Sequence, residues 1–220
     1  AWWQEREERE EEHRMLLALY DEFQENKELL EEARAFHREV GETELELMAL
    51  AAQPNPQISA DSLDVLIGDM LWWWQPTKFS TGALQALTQG GRLHYILNEE
   101  LRRELAGWDA EIETVHHDER QDYTTFHDDV MPFLREQVYF PQISSVTTKK
   151  PGTSDSIAPL DVPLRPVPTD HRALLAHPDF PNLLVQKWWV HWDALEGYDE
   201  FEVLSDEVLA LLEEELRRWG

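Results

Sequence analysis

The groups best suited to hold a metal or move a proton form one run, His116-His117-Asp118-Glu119, followed by Asp122 and then His127-Asp128-Asp129. Imidazole nitrogens and carboxylate oxygens together suit zinc, iron or manganese. Glu113 and His117 are four residues apart, as are Asp118 and Asp122, so on a helix each pair shares a face and two ligands can converge. Glu113, His117, Asp118 and Asp122 therefore make a candidate metal site, completed from another helix, and its chemistry would be metal-dependent hydrolysis. Against this stands the plainer expectation, which the sequence favours, that these side chains are the solvated face of a long acidic helix. His171, His177 and His191 come late in the chain and could add a ligand, but nine histidines in an acidic sequence produce clusters by chance.

Other chemistries have less support. Ser80, Thr81 and Asp170 read as helix caps, and no serine stands at a known distance from a histidine, so nucleophilic hydrolysis has no geometric basis. Gly90-Gly91 lacks the Lys and Ser or Thr of a phosphate-cradling loop and reads as a turn. Cysteine is absent, which excludes disulfides, thiolate zinc sites and a cysteine nucleophile. No cofactor is expected. A net charge of −26 repels nucleic acid and anionic lipid, whose binding needs clustered Lys and Arg. Ten tryptophans are the other unusual feature. Trp72, Trp73 and Trp74 with Trp188, Trp189 and Trp192 could line a binding groove, because indole faces stack on sugars and peptides. On a helix, three consecutive indoles point about 100° apart and cannot all enter one core. Packing beneath the proline-rich connection is the expectation the sequence favours for them.

The elements that would position these residues are helices. From Trp3 to Leu50, the residues Leu16, Leu19, Phe23, Leu30, Ala33, Val40 and Leu47 recur at near-heptad spacing, which makes one apolar face. Asn26 and His37 interrupt that stripe and are expected to touch water at its edge. Gln53-Pro54-Asn55-Pro56 ends the segment. Ser59 or Asp61 caps a second helix expected to run through Trp72–Trp74 to Pro76. A third starts after Phe79-Ser80-Thr81 and stops at Gly90-Gly91. Asn98 caps a long fourth helix with the stripe Leu101, Leu105, Trp108, Ile112, Val115, Tyr123, Phe126, Val130 and Phe133, interrupted near Glu119 and kinked at Pro132.

Half of the 12 prolines fall between Pro141 and Pro168, so no regular helix is expected there, only short extended pieces around Val146 and Val162. One helix should then run from Asp179 to a stop at Gly197, with Trp188 and Trp192 in its stripe. A last one, capped by Ser205, should bury Val208, Leu211, Leu212, Leu216 and Trp219. The expected fold is all-α, an elongated antiparallel bundle of two long helices, shorter C-terminal helices and one long proline-rich connection. Residues 1–220 read as a single domain: 1–53 the N-terminal helix, 58–139 the central helices, 140–170 the connection and 171–220 the C-terminal helices.

The block Phe79-Ser80-Thr81-Gly82-Ala83, Leu84, Leu87, Gly90-Gly91, Leu93, Ile96, Asn98, Leu101-Arg102 and Leu105 resembles an uncharacterised family of bacterial helical proteins. In that family an N-terminal membrane-spanning helix leads through a Trp-Trp pair into a charged helical domain. Trp2-Trp3-Gln4-Glu5-Arg6, Asp179-Phe180 and Asn182-Leu183-Leu184 extend the resemblance, and the proline-rich connection has no counterpart in it. The resemblance implies a spanning helix upstream of Ala1 and, by the positive-inside rule, a domain outside the cytoplasm. It implies no activity. No run of about 20 apolar residues occurs within the chain itself. The function expected is a membrane-tethered interaction, sensing or scaffolding module without catalysis. Its partner would be a protein or cell-envelope component, or a second copy of the chain joined through the heptads. The metal-dependent hydrolase is the alternative.

Overall fold

The computed structural model describes the backbone of residues 2–163 and 169–218, and within these the side chains of all but 2–5, 7 and 8. The indoles of Trp2 and Trp3, the end of the proline-rich connection at 164–168, and Trp219 lie outside the described residues. The protein is all-α. Its helices are α1 (Trp2–Ala51), α2 (Ala60–Met70), α3 (Gly82–Thr88), α4 (Glu99–Thr125), α5 (Met131–Gln137), α6 (Phe140–Val146), α7 (His171–Leu175) and α8 (Phe180–Arg217). A single-turn 3₁₀ segment spans Leu93–Tyr95 and a π turn spans Phe126–Val130. Among the described residues the one β feature is an isolated antiparallel bridge between Lys149 and Ser156. The chain, expected as one domain, divides by its contacts into two compact units. The first comprises Ala1–Glu31, Thr77–His116 and Gly197–Gly220; the second comprises Glu32–Pro76 and His117–Glu196. Helices α1, α4 and α8 contribute to both.

In the first unit the stripe of α1 buries Leu16, Leu19 and Phe23 to 1% exposure or less. Asn26 is buried too, contrary to the expectation of a wet edge. Its side chain donates to Ser80 O at 2.8 Å and accepts from Ser80 N at 2.7 Å, so both ends of the amide clamp one backbone residue. One turn earlier, Glu22 accepts from Ala83 N at 2.7 Å and Leu84 N at 3.0 Å. The free amides at the start of α3 are thus capped by a carboxylate from another helix, and the Thr81 side chain makes no cap bond. Asn98 caps α4 as expected, through Glu100 N and Leu101 N at 3.0 and 3.1 Å. Phe23, Trp108 and Phe201 stack in sequence with centroids 4.7 and 4.9 Å apart.

Helix α8 runs without a break through Gly197, where a stop was expected. An interior glycine costs only about 1 kcal/mol, and the stripe Ala194, Tyr198, Phe201, Ser205, Val208 and Leu212 that surrounds it is fully buried. Ser205 is not a cap; its buried hydroxyl donates to Phe201 O at 2.8 Å one turn back.

In the second unit, Ser59 caps α2 by accepting from Ser62 N at 3.1 Å. The helix ends at Met70, so Trp72–Trp74 lie in irregular backbone beyond it, which frees their side chains from helical spacing. A π turn precedes Pro132, which has no N–H for the carbonyl four residues back. The extra residue shifts the buried position to Leu134, leaving Phe133 partly exposed, and Tyr123 is 49% exposed because Glu119 and Asp122 take the inward places. Helix α6 lies inside the proline-rich stretch, with Pro141 in its first turn where no N–H is needed. Val146 is therefore helical, and Val162 sits in a bend, not in extended pieces of chain. Ile143 of α6 faces Gly68 of α2 and joins a core with Leu63, Ile67, Phe126, Leu134 and Leu184.

The turn around Gly152 is strapped onto α1. Glu39 accepts from Gly152 N at 2.8 Å and from Lys149 Nζ at 2.9 Å. Gly152 has φ +72°, and a Cβ there would overlap the backbone of Ala35 and Phe36. Gly152→Ala is expected to cost at least about 2 kcal/mol in urea unfolding, from positive φ and steric overlap together. Half-burial, with repulsion from Glu39, pushes the Asp69 carboxyl up to about 6. Between about pH 4 and 6 the folded chain keeps a proton there that the unfolded chain has released, so stability falls as pH rises through that window. Asp69→Asn should remove this component of the pH profile and be more stable than the parent at pH 7.

Candidate functional site

Three helices of the second unit send polar side chains into its interior from stripe positions that elsewhere hold apolar ones. On α1, His37 and Glu44 are each 0% exposed; on α4, Glu119 and Asp122 are 0% exposed; on α8, Lys187 is 0% and His191 1% exposed. Local helix formation is indifferent to this, since Glu and Lys are good helix formers and each replaces one apolar residue in a long stripe. Their burial is imposed by the neighbouring helices. Gly41 on α1 faces Trp188 and His191 of α8, and a Cβ added to it would meet them at 3.7 and 3.9 Å.

The hydrogen bonds form a directed chain. Lys187 Nζ is 2.7 Å from His191 Nε2, and His191 Nδ1 is 2.6 Å from His37 Nδ1. An ammonium only donates, so His191 Nε2 accepts, its Nδ1 carries the hydrogen, and His37 Nδ1 accepts that hydrogen. Both rings are neutral in this arrangement. Burial, reinforced by Lys187 and opposed by Asp122, holds the His37 imidazole well below its usual pKa. Lys187 Nζ also stands 3.1 Å from Glu44 Oε1 and 3.5 Å from Asp122 Oδ1. Burial alone would lower the Lys187 ammonium, but Glu44 and Asp122 outweigh it and raise its pKa. Burial likewise pushes the Asp122 carboxyl up, yet the Lys187 ammonium and the Trp74 N–H hold it below the ordinary carboxylate range.

Trp74 closes the cluster. Its backbone N–H donates to Asp122 Oδ2 at 2.7 Å and its indole Nε1 donates to Glu119 Oε1 at 3.1 Å. Its ring lies against Phe36, with centroids 4.9 Å apart. Trp73 stacks on Phe126 at 5.0 Å. Trp72 and Trp73 line a surface depression with Leu71, Ile143, Ile157 and Leu160. On α8, Trp188 lies beside Trp192 at 5.7 Å, and Trp189 and Trp192 are 58% and 56% exposed.

Of the four metal candidates named from sequence, Asp122 enters a cluster with histidines. Glu113 and His117 are on the exposed side of α4 and Asp118 is half-buried. His37, Asp122 and His191 instead bring one ligand atom each within 4.8 Å of one another. Sequence spacing along one helix had missed His37, Glu44 and Lys187 and left His191 aside. The available signal was polar residues at stripe positions: His37 and Glu44 in line with Val40 and Leu47, and Lys187 and His191 in line with Leu184 and Ala194. His171 Nε2 donates to Asp64 Oδ1 at 2.6 Å, beside a surface cavity lined by Pro54, Pro56, Ile58 and Leu63. His177 packs edge-on to Phe133 at 5.0 Å, and His127 sits against Trp73 and Tyr123.

Compared with protein families, curated proteins and solved structures, the chain matches none.

Among the described residues, Lys187 stands between two buried carboxylates, Glu44 and Asp122. Removing one partner of a buried ion pair strands the other charge. In metal-free buffer, Lys187→Met is expected to lower unfolding free energy by about 3–5 kcal/mol. Glu44→Gln, which keeps the shape and removes the excess negative charge, should cost markedly less. Denaturant titration of both variants checks the order.

Proposed function

We propose that this chain is a membrane-tethered interaction or sensing module that meets a protein partner of the cell envelope through the Trp188–Trp189–Trp192 face of α8. The observation that carries the reading is the exposure of Trp189 and Trp192, 58% and 56%, three residues apart on one helix face of a strongly acidic protein. Exposed indoles grouped on a rigid helix supply large apolar area at little side-chain entropy cost, and tryptophan is enriched at the centres of protein interfaces. Asp193 and Glu196 border this face and favour a neutral or basic surface opposite it. Tethering and an extracytoplasmic position rest on the Trp2-Trp3-Gln4-Glu5-Arg6 opening and the bacterial family it resembles. No helix among the described residues is long and apolar enough to cross a membrane, so the anchor would be the helix expected upstream of Ala1.

A photo-crosslinking residue at position 189 of the membrane-bound protein should give one defined protein adduct in its native cells. Trp192→Ala should suppress that adduct while changing stability by no more than about 0.5 kcal/mol, as for other surface positions. The same probe at exposed Thr124, on α4, should not give it. An adduct pattern equal at both positions, or none at 189, rejects the reading. The metal-dependent hydrolase is kept as the second reading because Asp122 does lie beside two imidazoles. A metal-dependent hydrolytic activity lost on Asp122→Asn would favour it.

A further inference from the structure

Counting charge in the sealed cluster leaves an imbalance. Glu44 and Asp122 are carboxylates, Lys187 is the ammonium between them, and the directed hydrogen bonds make His37 and His191 neutral. An unbalanced ion in a dry interior costs several kcal/mol. The hydrogen-bond count is unbalanced in the same place. Among the described residues, neither oxygen of Glu44 nor Oδ1 of Asp122 accepts a hydrogen bond of good geometry, although Lys187 stands close to both. Both carboxylates are 0% exposed.

We infer that this cluster is a binding site for one divalent first-row transition-metal ion, held by the imidazoles of His37 and His191 and the carboxylate of Asp122. These three residues offer ligand atoms within 4.8 Å of one another. Two nitrogens with a carboxylate oxygen, and no thiolate, select the zinc, iron and manganese class over copper(I), and over calcium or magnesium, which take mostly oxygen. The ion enters between the two Nδ1 atoms, now 2.6 Å apart, which must separate to roughly 3.3 Å for two bonds of about 2.0 Å in tetrahedral geometry. His191 then carries its hydrogen on Nε2, 3.3 Å from Glu44 Oε1, and donates to it. That is the carboxylate–imidazole–metal relay that orients metal-bound histidines. Lys187, no longer accepted by His191, turns fully to Glu44 and Asp122, which have acceptor capacity to spare. Trp74 holds the outer oxygen of Asp122 from its backbone N–H. The three ligands come from α1, α4 and α8, so the ion ties these helices together, with a water in its fourth tetrahedral position.

The test is refolding of the full chain from urea with zinc, cobalt(II) or manganese, which avoids slow entry into a closed core. After gel filtration, elemental analysis should find one ion per chain and a raised Tm. Cobalt X-ray absorption on the unmodified chain should count two imidazoles, a readout that needs no variant to fold. His37→Gln/His191→Gln, where its circular dichroism is unchanged, should retain no ion, whereas His117→Ala should retain it. Lys187→Met, which removes the competing ammonium, should bind about tenfold or more tightly and regain with metal the stability it lacks without it. No retained ion, fewer than two imidazoles at cobalt, or equal retention by the double histidine variant overturns the inference, and none of these outcomes bears on the indole face of α8.

Discussion

A charge taken out of water must be met by another charge or by hydrogen bonds, and in this protein that constraint acts at the point where three long helices meet. Lys187 on α8 has 0% exposure, as do Glu44 on α1 and Asp122 on α4. Each side chain is tolerable there only because the others stand within ion-pair distance. An apolar stripe can slide by a turn and still find apolar neighbours; a set of paired ions cannot. The cluster therefore fixes the register of α1, α4 and α8 in the second unit in a way that leucines alone would not.

The first unit meets the same constraint with uncharged or backbone partners. Asn26 spends its amide on Ser80 and Glu22 its carboxylate on the start of α3. In both cases a polar residue of α1 is buried because it answers backbone groups that a chain turn leaves open. The fourth helix adds a local adjustment. The π turn at Phe126–Val130 absorbs Pro132 and passes the buried face from Phe126 and Val130 on to Leu134. The aromatic segment after α2 then covers the ionic cluster, with Trp74 serving Asp122 and Glu119 while Trp73 packs on Phe126. Burial and electrostatics are thus one arrangement, seen from two sides.

Function divides between a sealed interior and an open surface. The interior cluster gathers imidazoles, carboxylates and an ammonium, all of them buried. The surface offers indoles on α8 that nothing in the second unit's core requires. An ion tying the helices together would stiffen the very helix that carries those indoles, which joins the two features through α8.

The sequence alone determined the class of fold, the apolar face of α1 from Leu16 to Leu47, the cap at Asn98 and the proline breaks at Pro54 and Pro56. These depend on helical periodicity and on backbone chemistry within a few residues, which any local window contains. It misjudged Gly197 and Ser205 as helix ends and Pro141 as a barrier to helix, because each of those signals is worth about 1 kcal/mol or less and tertiary burial outweighs it. The tertiary structure alone decided which polar residues face inward. His37 and Asn26 looked like edge residues of a stripe, and Glu113 and His117 looked as eligible as Asp122. Only the approach of α8 to α1 at Gly41, across some 150 residues of chain, brings Lys187 and His191 to Glu44 and Asp122. Periodicity says which side chains share a face; what that face meets is a property of other parts of the chain, and that is where the candidate site was made.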